Sequence, residues 1–304
     1  MTGVNSEAVA PGPGRPRGPA EAGSAVSAAA PPRKEFTFSR KEFRFLAETV
    51  HGLTGIVLGE QKYEMVYARL ARRLRQLGLT RFQHYVELLQ GPGRDEEIGF
   101  LIDAITTNLT RFFREDYQLK QMLRLIDQSV PAGEARGLKI WSAGCSTGQE
   151  PYSIAMALKA GLKNRPRLDA RILATDIDRT ILQKARRGLY SSEEVEHVPS
   201  HFLPRYFQEA DDGLYEVSPQ IRSMIVFNRL NLMEDWPFRG QFDFIFCRNV
   251  VIYFDEPTKE RLARRFHAAL GPDGVLFLGH SEALMGAIDG FAPAGRAAFR
   301  KIAA

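Results

Sequence analysis

Apolar residues recur at helical spacing through the first part of the chain, between Ser39 and Phe113. A capping-box pattern at Ser39 and Glu42 predicts the start of the first helix. The second predicted helix, from about 60 to 77, has one apolar face, made by Tyr63, Tyr67, Leu70, Leu74 and Leu77. Gly78 is placed to end that helix. The pattern predicts an all-helical N-terminal domain, at residues 34–128.

The pattern changes at Leu138, where short apolar segments begin to alternate with amphipathic ones. Strands are predicted at 138–143, 170–174, 224–230, 242–247, 275–279 and 296–302, and helices at 150–161, 179–187 and 257–270. Such alternation is typical of a doubly wound α/β sheet. We therefore predict an α/β domain at 138–304, joined to the helical domain by a linker at 129–137 that is rich in Pro, Gly and charge.

Two segments follow neither pattern. Residues 1–33 consist largely of Ala, Pro, Gly and Ser, and this composition predicts a disordered tail. Residues 189–221 carry an Asp212-Gly213 turn signal between two apolar stretches. We therefore predict a small β unit inserted into the α/β domain at about 189–221.

The turn between the first predicted strand and its helix is rich in small residues. Gly144 and Gly148 bracket the turn, and Glu150-Pro151 opens the helix. A glycine-rich turn lets backbone N–H groups approach a ligand closely, and a helix N-terminus favours negative charge there. The spacing is not GxGxxG, and the lysine of a phosphate-binding P-loop is missing. The turn alone is compatible with a nucleotide-type cofactor or with a plain strand-to-helix connection.

An acidic pair, Asp176 and Asp178, follows the second predicted strand. Asp176 stands at the strand end, where the ribose hydroxyls of a nucleoside cofactor are usually held. Asp178 is better placed to cap the next helix. S-adenosylmethionine fits this combination, because it has no pyrophosphate that would require GxGxxG. An NAD-dependent dehydrogenase stays open on pattern alone, although the glycine spacing is wrong and no hydride-transfer base is evident.

A Gly-His-Ser-Glu run at 279–282 contains the residue types of a hydrolase triad. Consecutive residues at a strand end point in different directions, and no GxSxG elbow is present. A triad is therefore not predicted.

The amino-acid composition indicates the class and the location of the protein more than its function. The chain has 44% hydrophobic and 25% charged residues, as in soluble globular proteins, and no apolar run long enough to span a membrane. No signal peptide is evident, so we expect a cytoplasmic protein. The two cysteines, Cys145 and Cys247, form no CxxC and predict neither a zinc site nor a disulfide framework. A formal charge of +5 and a pI of about 9.2 admit nucleic acid, an acidic protein or an anionic membrane surface as partner.

Further motifs carry a family resemblance. They are NLTRFFR (108–114), SAGCSTGQEPYSIA (142–155), ATDID (174–178), NL (231–232), FDFIFCRNVVIYF (242–254) and GHSE (279–282). With these motifs the chain resembles the chemoreceptor glutamate methyltransferases, the CheR family, from about Phe36 to the C-terminus. The resemblance implies a Rossmann-like class I methyltransferase sheet with a small inserted β unit, preceded by an all-helical domain. It also implies transfer of a methyl group from S-adenosylmethionine to receptor glutamates, giving glutamyl methyl esters and S-adenosylhomocysteine.

Site residues follow from the resemblance by position. The cofactor residues that it implies, together with Gly144 of the glycine turn, are Asn108, Thr110, Arg114, Gly144, Glu150, Asp176, Asn231, Leu232, Arg248 and Asn249. Asp176 would hold the ribose, and Asn231 and Leu232 would flank the adenine. Arg114 would also orient the substrate carboxylate or the polar end of the cofactor, and Tyr253 would line the pocket as a second catalytic residue. The chain departs from many members at Gln149, where they have a second glutamate.

A basic stripe on the second predicted helix is the candidate substrate surface. Lys62, Arg69 and Arg73 share a face and Arg72 lies nearby. Such a stripe is more often a solvated helix face. Since the resemblance implies acidic receptor helices as substrates, we predict that it binds them. Family members that also dock on a receptor's C-terminal pentapeptide have a longer, glycine-rich loop than residues 209–213, so no pentapeptide tether is expected.

The chemistry agrees with the absence of an obvious catalytic base. A glutamate side chain, with a pKa of about 4.3, is already a nucleophilic carboxylate at neutral pH. Besides the dehydrogenase, which is the weakest alternative, two others remain open. A nucleic-acid methyltransferase would suit the basic pI but lacks a base-flipping motif, and a non-catalytic cofactor-sensing module would not need Arg114 and Arg248. The receptor itself cannot be named from the sequence.

Overall fold

The computed structural model describes residues 34–131, 133–282 and 290–303. The predicted disordered tail at 1–33 lies outside these residues. The first helices are α1 Arg40–Thr54, α2 Tyr63–Leu77, α3 Phe82–Gln90, α4 Arg94–Ile105 and α5 Tyr117–Ser129. No helix in the described parts of the chain combines the length and the apolar character needed to cross a bilayer.

Helices α1 to α4 enclose an aromatic core. The ring of Phe38 stacks on Tyr63 at 4.7 Å between centroids and lies 4.1 Å from Phe82. The predicted capping box is present, because the Ser39 hydroxyl accepts from the Glu42 N–H and the Glu42 carboxylate accepts from the Ser39 N–H. The predicted apolar face of α2 lies in this core, and α2 ends as expected at a left-handed glycine, Gly78.

A seven-stranded sheet forms the second half of the molecule, in the order β6-β2-β1-β7-β8-β10-β9. Its strands are β1 Arg136–Ala143, β2 Leu168–Asp176, β6 Ile225–Arg229, β7 Phe242–Cys247, β8 Leu270–Leu278, β9 Phe291–Gly295 and β10 Ala298–Lys301. From β6 to β8 neighbouring strands are parallel, and β10 is antiparallel to β8 and β9. The doubly wound sheet predicted from the alternating pattern is confirmed, with β9 as an additional, unpredicted strand.

Helices cover both faces of the sheet. They are α6 Gln149–Gly161, α7 Arg179–Arg187, α8 Ser192–Val195, α9 Leu203–Tyr206, α10 Pro219–Arg222 and α11 Glu256–Ala269. Side chains of β1 alternate between two cores, as strand geometry requires. Ile140 packs in the core that contains α6, and Trp141 packs on the other side with Phe266 of α11.

Helix α5 also packs on the sheet. Its residues Met122 and Ile126 are fully buried in the same core as Ile140. Six residues of the sequence separate the end of α5 at Ser129 from the start of β1 at Arg136. The division of the chain into domains at 129–137 stays a prediction, while this packing joins α5 physically to the sheet.

The predicted inserted β unit is a separate three-stranded antiparallel sheet, β3-β5-β4. Its strands are β3 Leu189–Tyr190, β4 Phe207–Glu209 and β5 Tyr215–Val217. The insert packs on the NLTRFFR segment, since the buried ring of Phe112 meets Tyr190 and Phe207 edge-on at 4.9 and 5.5 Å.

Candidate functional site

A deep depression, here called the main cleft, lies where the carboxyl ends of β1, β2 and β7 meet, the usual ligand position in an open α/β sheet. It is lined by Thr54, 56–58, Lys62, Met65, 105–111, Arg114, Gly144, Ser146, Glu150, Ser153, 175–177, 230–232, 248–250, Tyr253 and Phe254. Every residue predicted to bind the cofactor is in this lining, as are Tyr253 and Lys62. Arg69, Arg72 and Arg73 are not.

The glycine turn after β1 brings the backbone close to the opposite wall of the main cleft. Gly144 has a φ of +89°, and a Cβ at this position would lie 2.4 Å from a methyl carbon of Val250. Its N–H donates to the Thr175 carbonyl at 2.8 Å. Any side chain here would strain the turn and push the wall away, so the position requires glycine.

Asp176 turns a nearly buried carboxylate toward the main cleft. Its two oxygens accept from the N–H groups of Ser146 and Asp178 at 2.9 and 3.1 Å. Burial raises its pKa to about 6, although these backbone hydrogen bonds oppose the shift. Each carboxylate oxygen can accept two hydrogen bonds, so acceptor capacity remains for a ligand hydroxyl.

Asp178 has the capping role predicted for it. One oxygen accepts from the N–H groups of Thr180 and Ile181 at the start of α7, at 2.8 and 3.1 Å. The other accepts from the Asn108 amide at 3.0 Å and from the Thr106 hydroxyl at 3.1 Å. Asp178 therefore holds the NLTRFFR segment against the loop after β2. This contact was not predicted from the sequence.

Arg248 is a buried cation between two carboxylates. Its Nη1 lies 3.6 Å from Glu150 Oε2, and its Nη2 lies 3.8 Å from Glu115 Oε2. Nη2 also donates to the Arg114 carbonyl, and Nε has no hydrogen-bond partner within the described residues. Burial raises the pKa of Glu150, while Arg248 and a 2.7 Å hydrogen bond from the Ser142 hydroxyl favour its charged form.

Glu282 and His280, from the Gly-His-Ser-Glu run, have separate partners rather than a common one. The Glu282 carboxylate accepts from the N–H groups of Gly279, Asn249 and Ile252 at 2.6, 2.7 and 3.1 Å. His280 Nδ1 lies 3.0 Å from Glu115 Oε1. The histidine and the glutamate of this run therefore fix loops beside the main cleft.

Glu115 and Glu282 are site-supporting residues that sequence reasoning missed. Burial alone would raise the pKa of Glu115, but the hydrogen bonds from His280 and the charge of Arg248 outweigh it and hold the pKa below its ordinary value. Glu282 belongs to the GHSE motif, yet its role depends on a loop more than thirty residues away. The spacing of residues along the sequence does not predict such long-range contacts.

Several residues around the main cleft adopt a left-handed backbone without being glycine. Phe113, Glu115, Ser146 and Asn249 have φ values of 52°, 54°, 49° and 59°. This conformation costs a non-glycine residue about 1–2 kcal/mol. The surrounding contacts must therefore outweigh the strain, an arrangement that is frequent at functional sites.

The helical half of the main cleft is attached to the sheet half by contacts from the end of α1. The Asn231 amide donates to the Leu53 carbonyl at 2.8 Å, and the Val57 N–H donates to the Tyr253 carbonyl at 2.8 Å. Asn231 and Tyr253 thus help to join the two halves in addition to lining the cleft.

Two arginines of the basic stripe that was predicted to bind the substrate have partners within the helical domain. Arg73 binds Glu97 through Nε and Nη2, at 2.9 and 2.7 Å, and its guanidinium lies 3.6 Å above the ring of Phe100. Arg69 donates to the carbonyls of Ile105 and Thr106 at 2.7 and 2.8 Å, and so caps the C-terminus of α4. Both guanidinium groups are therefore hydrogen-bonded to other residues of the helical domain.

The side chains of the other two residues of the stripe, Lys62 and Arg72, remain available to bind a partner. Lys62 is exposed and lines the main cleft, and Arg72 is exposed on α2. Neither side chain has a hydrogen bond or ion pair within the part of the chain that the structure describes. A substrate surface on this helix therefore depends on Lys62 and Arg72.

Comparison with known proteins agrees with this architecture. Residues 41–106 match the family model described as CheR methyltransferase, all-alpha domain. Residues 108–298 match the model described as CheR methyltransferase, SAM binding domain. The cofactor of the family is therefore S-adenosylmethionine, and the two matched regions meet at the NLTRFFR segment.

Curated relatives match most of the chain. A chemotaxis protein methyltransferase from Escherichia coli is 42% identical over 253 residues, covering 82% of this chain and 86% of that protein. Chemotaxis protein methyltransferase 2 from Pseudomonas aeruginosa is 41% identical over 254 residues, covering 82% and 89%. A probable chemotaxis protein methyltransferase from Rhizobium etli is 40% identical over 245 residues, covering 78% and 90%. The fold, the residues gathered in the main cleft and these matches together show that the chain belongs to the CheR methyltransferase family.

Proposed function

We propose that this protein methylates glutamate side chains of chemoreceptors with S-adenosylmethionine and so forms glutamyl methyl esters in chemosensory adaptation. The observation that carries the proposal is the main cleft, which gathers all the cofactor residues implied by the resemblance at the carboxyl edge of the sheet. The protein would act in the cytoplasm on the cytoplasmic segments of its receptors, without inserting into the membrane.

The residues of the main cleft fit S-adenosylmethionine. Asp176 has free acceptor positions for ribose hydroxyls. The orphan Nε of Arg248 and the carboxylate of Glu150 offer a donor and an acceptor for the methionine end. Gly144 lines the same cleft and contributes no side chain that would fill the ligand space. Asn231 and Leu232 would flank the adenine. When bound, the cofactor supplies an electrophilic methyl group on a neutral leaving group.

The protein's own contribution to the reaction would be binding and orientation. The acceptor carboxylate is already charged at neutral pH, so no general base is required. In-line positioning and exclusion of water then account for most of the catalysis. Arg114, which lines the main cleft and is held through its carbonyl by Arg248, would orient the acceptor carboxylate, and Tyr253 would line the pocket beside it.

We expect the methylated product to be a carboxyl ester. Purified protein incubated with methyl-labelled S-adenosylmethionine and a chemoreceptor cytoplasmic fragment should transfer label to the receptor, and mild alkali should release that label as methanol. An RNA sample in a parallel incubation should remain unlabelled. Label that survives alkali would indicate N-methylation, and label in RNA would favour a nucleic-acid substrate.

We further expect methylation to proceed without a receptor C-terminal tether. The loop between β4 and β5 is short and carries the acidic residues Asp211 and Asp212, whereas family members that dock on the pentapeptide have a longer, glycine-rich loop. Initial methylation rates on receptor fragments with and without the last five residues should therefore agree within about twofold. A larger drop for the truncated fragment, together with a calorimetrically detectable pentapeptide complex, would contradict this expectation.

A further inference from the structure

A second depression, here called the outer groove, shares residues 108–111 and Arg114 with the main cleft. Its remaining lining is Glu115, Thr147, Gln149, Lys184, Glu193, Glu194, His197 and His280. The NLTRFFR segment is therefore a common wall of both depressions. Cofactor-binding residues on the sheet loops, such as Asp176 and Asn231, line only the main cleft.

Most charges of the outer groove are already paired. Lys184 binds Glu194, Glu115 is held by His280 and Arg248, and the Glu193 carboxylate accepts from the Ser191 hydroxyl at 2.6 Å.

Arg111 differs from these groups. It is exposed, its Nη1 lies 3.4 Å from His197 Nε2, and no carboxylate of the described residues lies within ion-pair distance of it. A guanidinium has five N–H donors in a rigid fork that matches a carboxylate, so Arg111 keeps the capacity to bind one.

Leu109 adds an apolar contact at the same place. Its side chain is 84% exposed on the wall shared by the two depressions. An exposed leucine on the same wall as Arg111 and Arg114 suits a partner that presents apolar and acidic side chains together, as an amphipathic helix does. Glu193 lies in the same groove, and a uniformly anionic polymer such as nucleic acid would be repelled there.

We infer that the outer groove binds a second carboxylate of the protein substrate, at Arg111 and His197, while the target glutamate enters the main cleft beside Arg114. This inference rests on the proposed function. Arg111 and Arg114 both line the wall shared by the two depressions, so the two carboxylates must lie close together on the substrate. On a substrate helix, side chains three or four positions apart are neighbours, about 5–6 Å apart at Cβ. The second carboxylate is therefore expected within one helical turn of the target glutamate.

The test pairs a change in the enzyme with a change in the substrate. The methylated glutamate of a chemoreceptor fragment is first identified by mass spectrometry, and each acidic residue within four positions is then changed singly to glutamine. Wild-type protein and the variants Arg111→Ala and Arg111→Lys are compared on each fragment. The control variant is Arg124→Ala, which removes an exposed arginine of α5 that lines neither depression.

For wild-type protein, one of the glutamine changes should raise KM about fivefold, the effect of losing one partly exposed charge pair. Arg111→Ala should raise KM similarly on the unchanged fragment and show no further rise on that glutamine fragment. Arg111→Lys should retain part of the KM difference between the unchanged fragment and that glutamine fragment. Arg124→Ala should behave as wild type. Calorimetric affinity for S-adenosylmethionine should be unchanged in Arg111→Ala.

Three outcomes would overturn the inference. They are that no glutamine change affects KM, that Arg111→Ala has the wild-type KM, or that Arg111→Ala raises KM on the glutamine fragment beyond the increase that either change causes alone. The proposed function fails separately, if wild-type protein transfers no alkali-labile label to the unchanged fragment. The two failures are therefore distinguishable in one set of assays.

Discussion

Replacement of Asp176 by asparagine is expected to weaken S-adenosylmethionine binding about ten- to hundredfold. The change removes a charged acceptor, and hydrogen bonds to charged groups contribute about 1.5–3 kcal/mol. It also presents an NH₂ group to the N–H donors of Ser146 or Asp178, which now face carboxylate oxygens. Isothermal titration calorimetry measures the effect directly.

The pH dependence of binding provides a second signature of the same residue. In the free protein burial raises the pKa of Asp176 to about 6, and ligand hydroxyls that donate to the carboxylate lower it again. Binding should therefore release a proton near pH 6, and the affinity should be full above about pH 7 and fall as the pH drops through 6. Asp176→Asn should lack this dependence.

The matched control lies on the same strand. Asp169, near the other end of β2, is exposed and paired with Arg171 at 3.0 Å. Asp169→Asn should bind the cofactor like wild type at every pH. Wild-type affinity in a folded Asp176→Asn protein would refute the assignment of Asp176 to the ribose.

Reversal of the charge at Arg73 is expected to lower the free energy of unfolding by about 3–5 kcal/mol, the cost of breaking a buried ion pair. The side chain of Glu97 is only 5% exposed, and besides Arg73 it accepts from the Tyr85 hydroxyl at 2.8 Å. Arg73→Glu would place a second carboxylate against this buried one. Chemical denaturation monitored by circular dichroism gives the difference, and a loss below about 1 kcal/mol would contradict the buried pairing.

Arg72 offers the matched control on the same helix. It is exposed, so Arg72→Glu should change the free energy of unfolding by no more than about 0.5 kcal/mol. If α2 does bind acidic receptor helices, this variant should still raise KM for the receptor, most strongly at low salt, because surface charge attraction is screened by salt. The comparison separates a folding role at Arg73 from a binding role at Arg72.

Features with local causes were predictable from the sequence. The cap at Ser39 and the cap at Asp178 depend on a few neighbouring residues, and both are present as expected. The order of strand and helix follows from apolar periodicity, and the position of Asp176 at a strand end follows from that order.

Features that depend on distant pairings were not predictable. Arg73 has the helical spacing of a polar face, but its side chain is paired with the buried Glu97 on α4. Glu115 depends on His280, which lies 165 residues away in the chain. Periodicity places a residue on a face of its own element, and it gives no information on which charge from another element meets that face.

The left-handed residues around the main cleft carry a consequence for engineering. Phe113, Glu115 and Ser146 would lose their backbone strain if they were replaced by glycine, yet their side chains and rigid turns hold the walls of the cleft. Glycine there would relieve about 1–2 kcal/mol of strain at each position, but it would also remove contacts that outweigh the strain, such as that of Glu115 with Arg248. A laboratory selection for heat resistance is therefore expected to leave these three positions unchanged and to find its stabilising changes elsewhere in the chain.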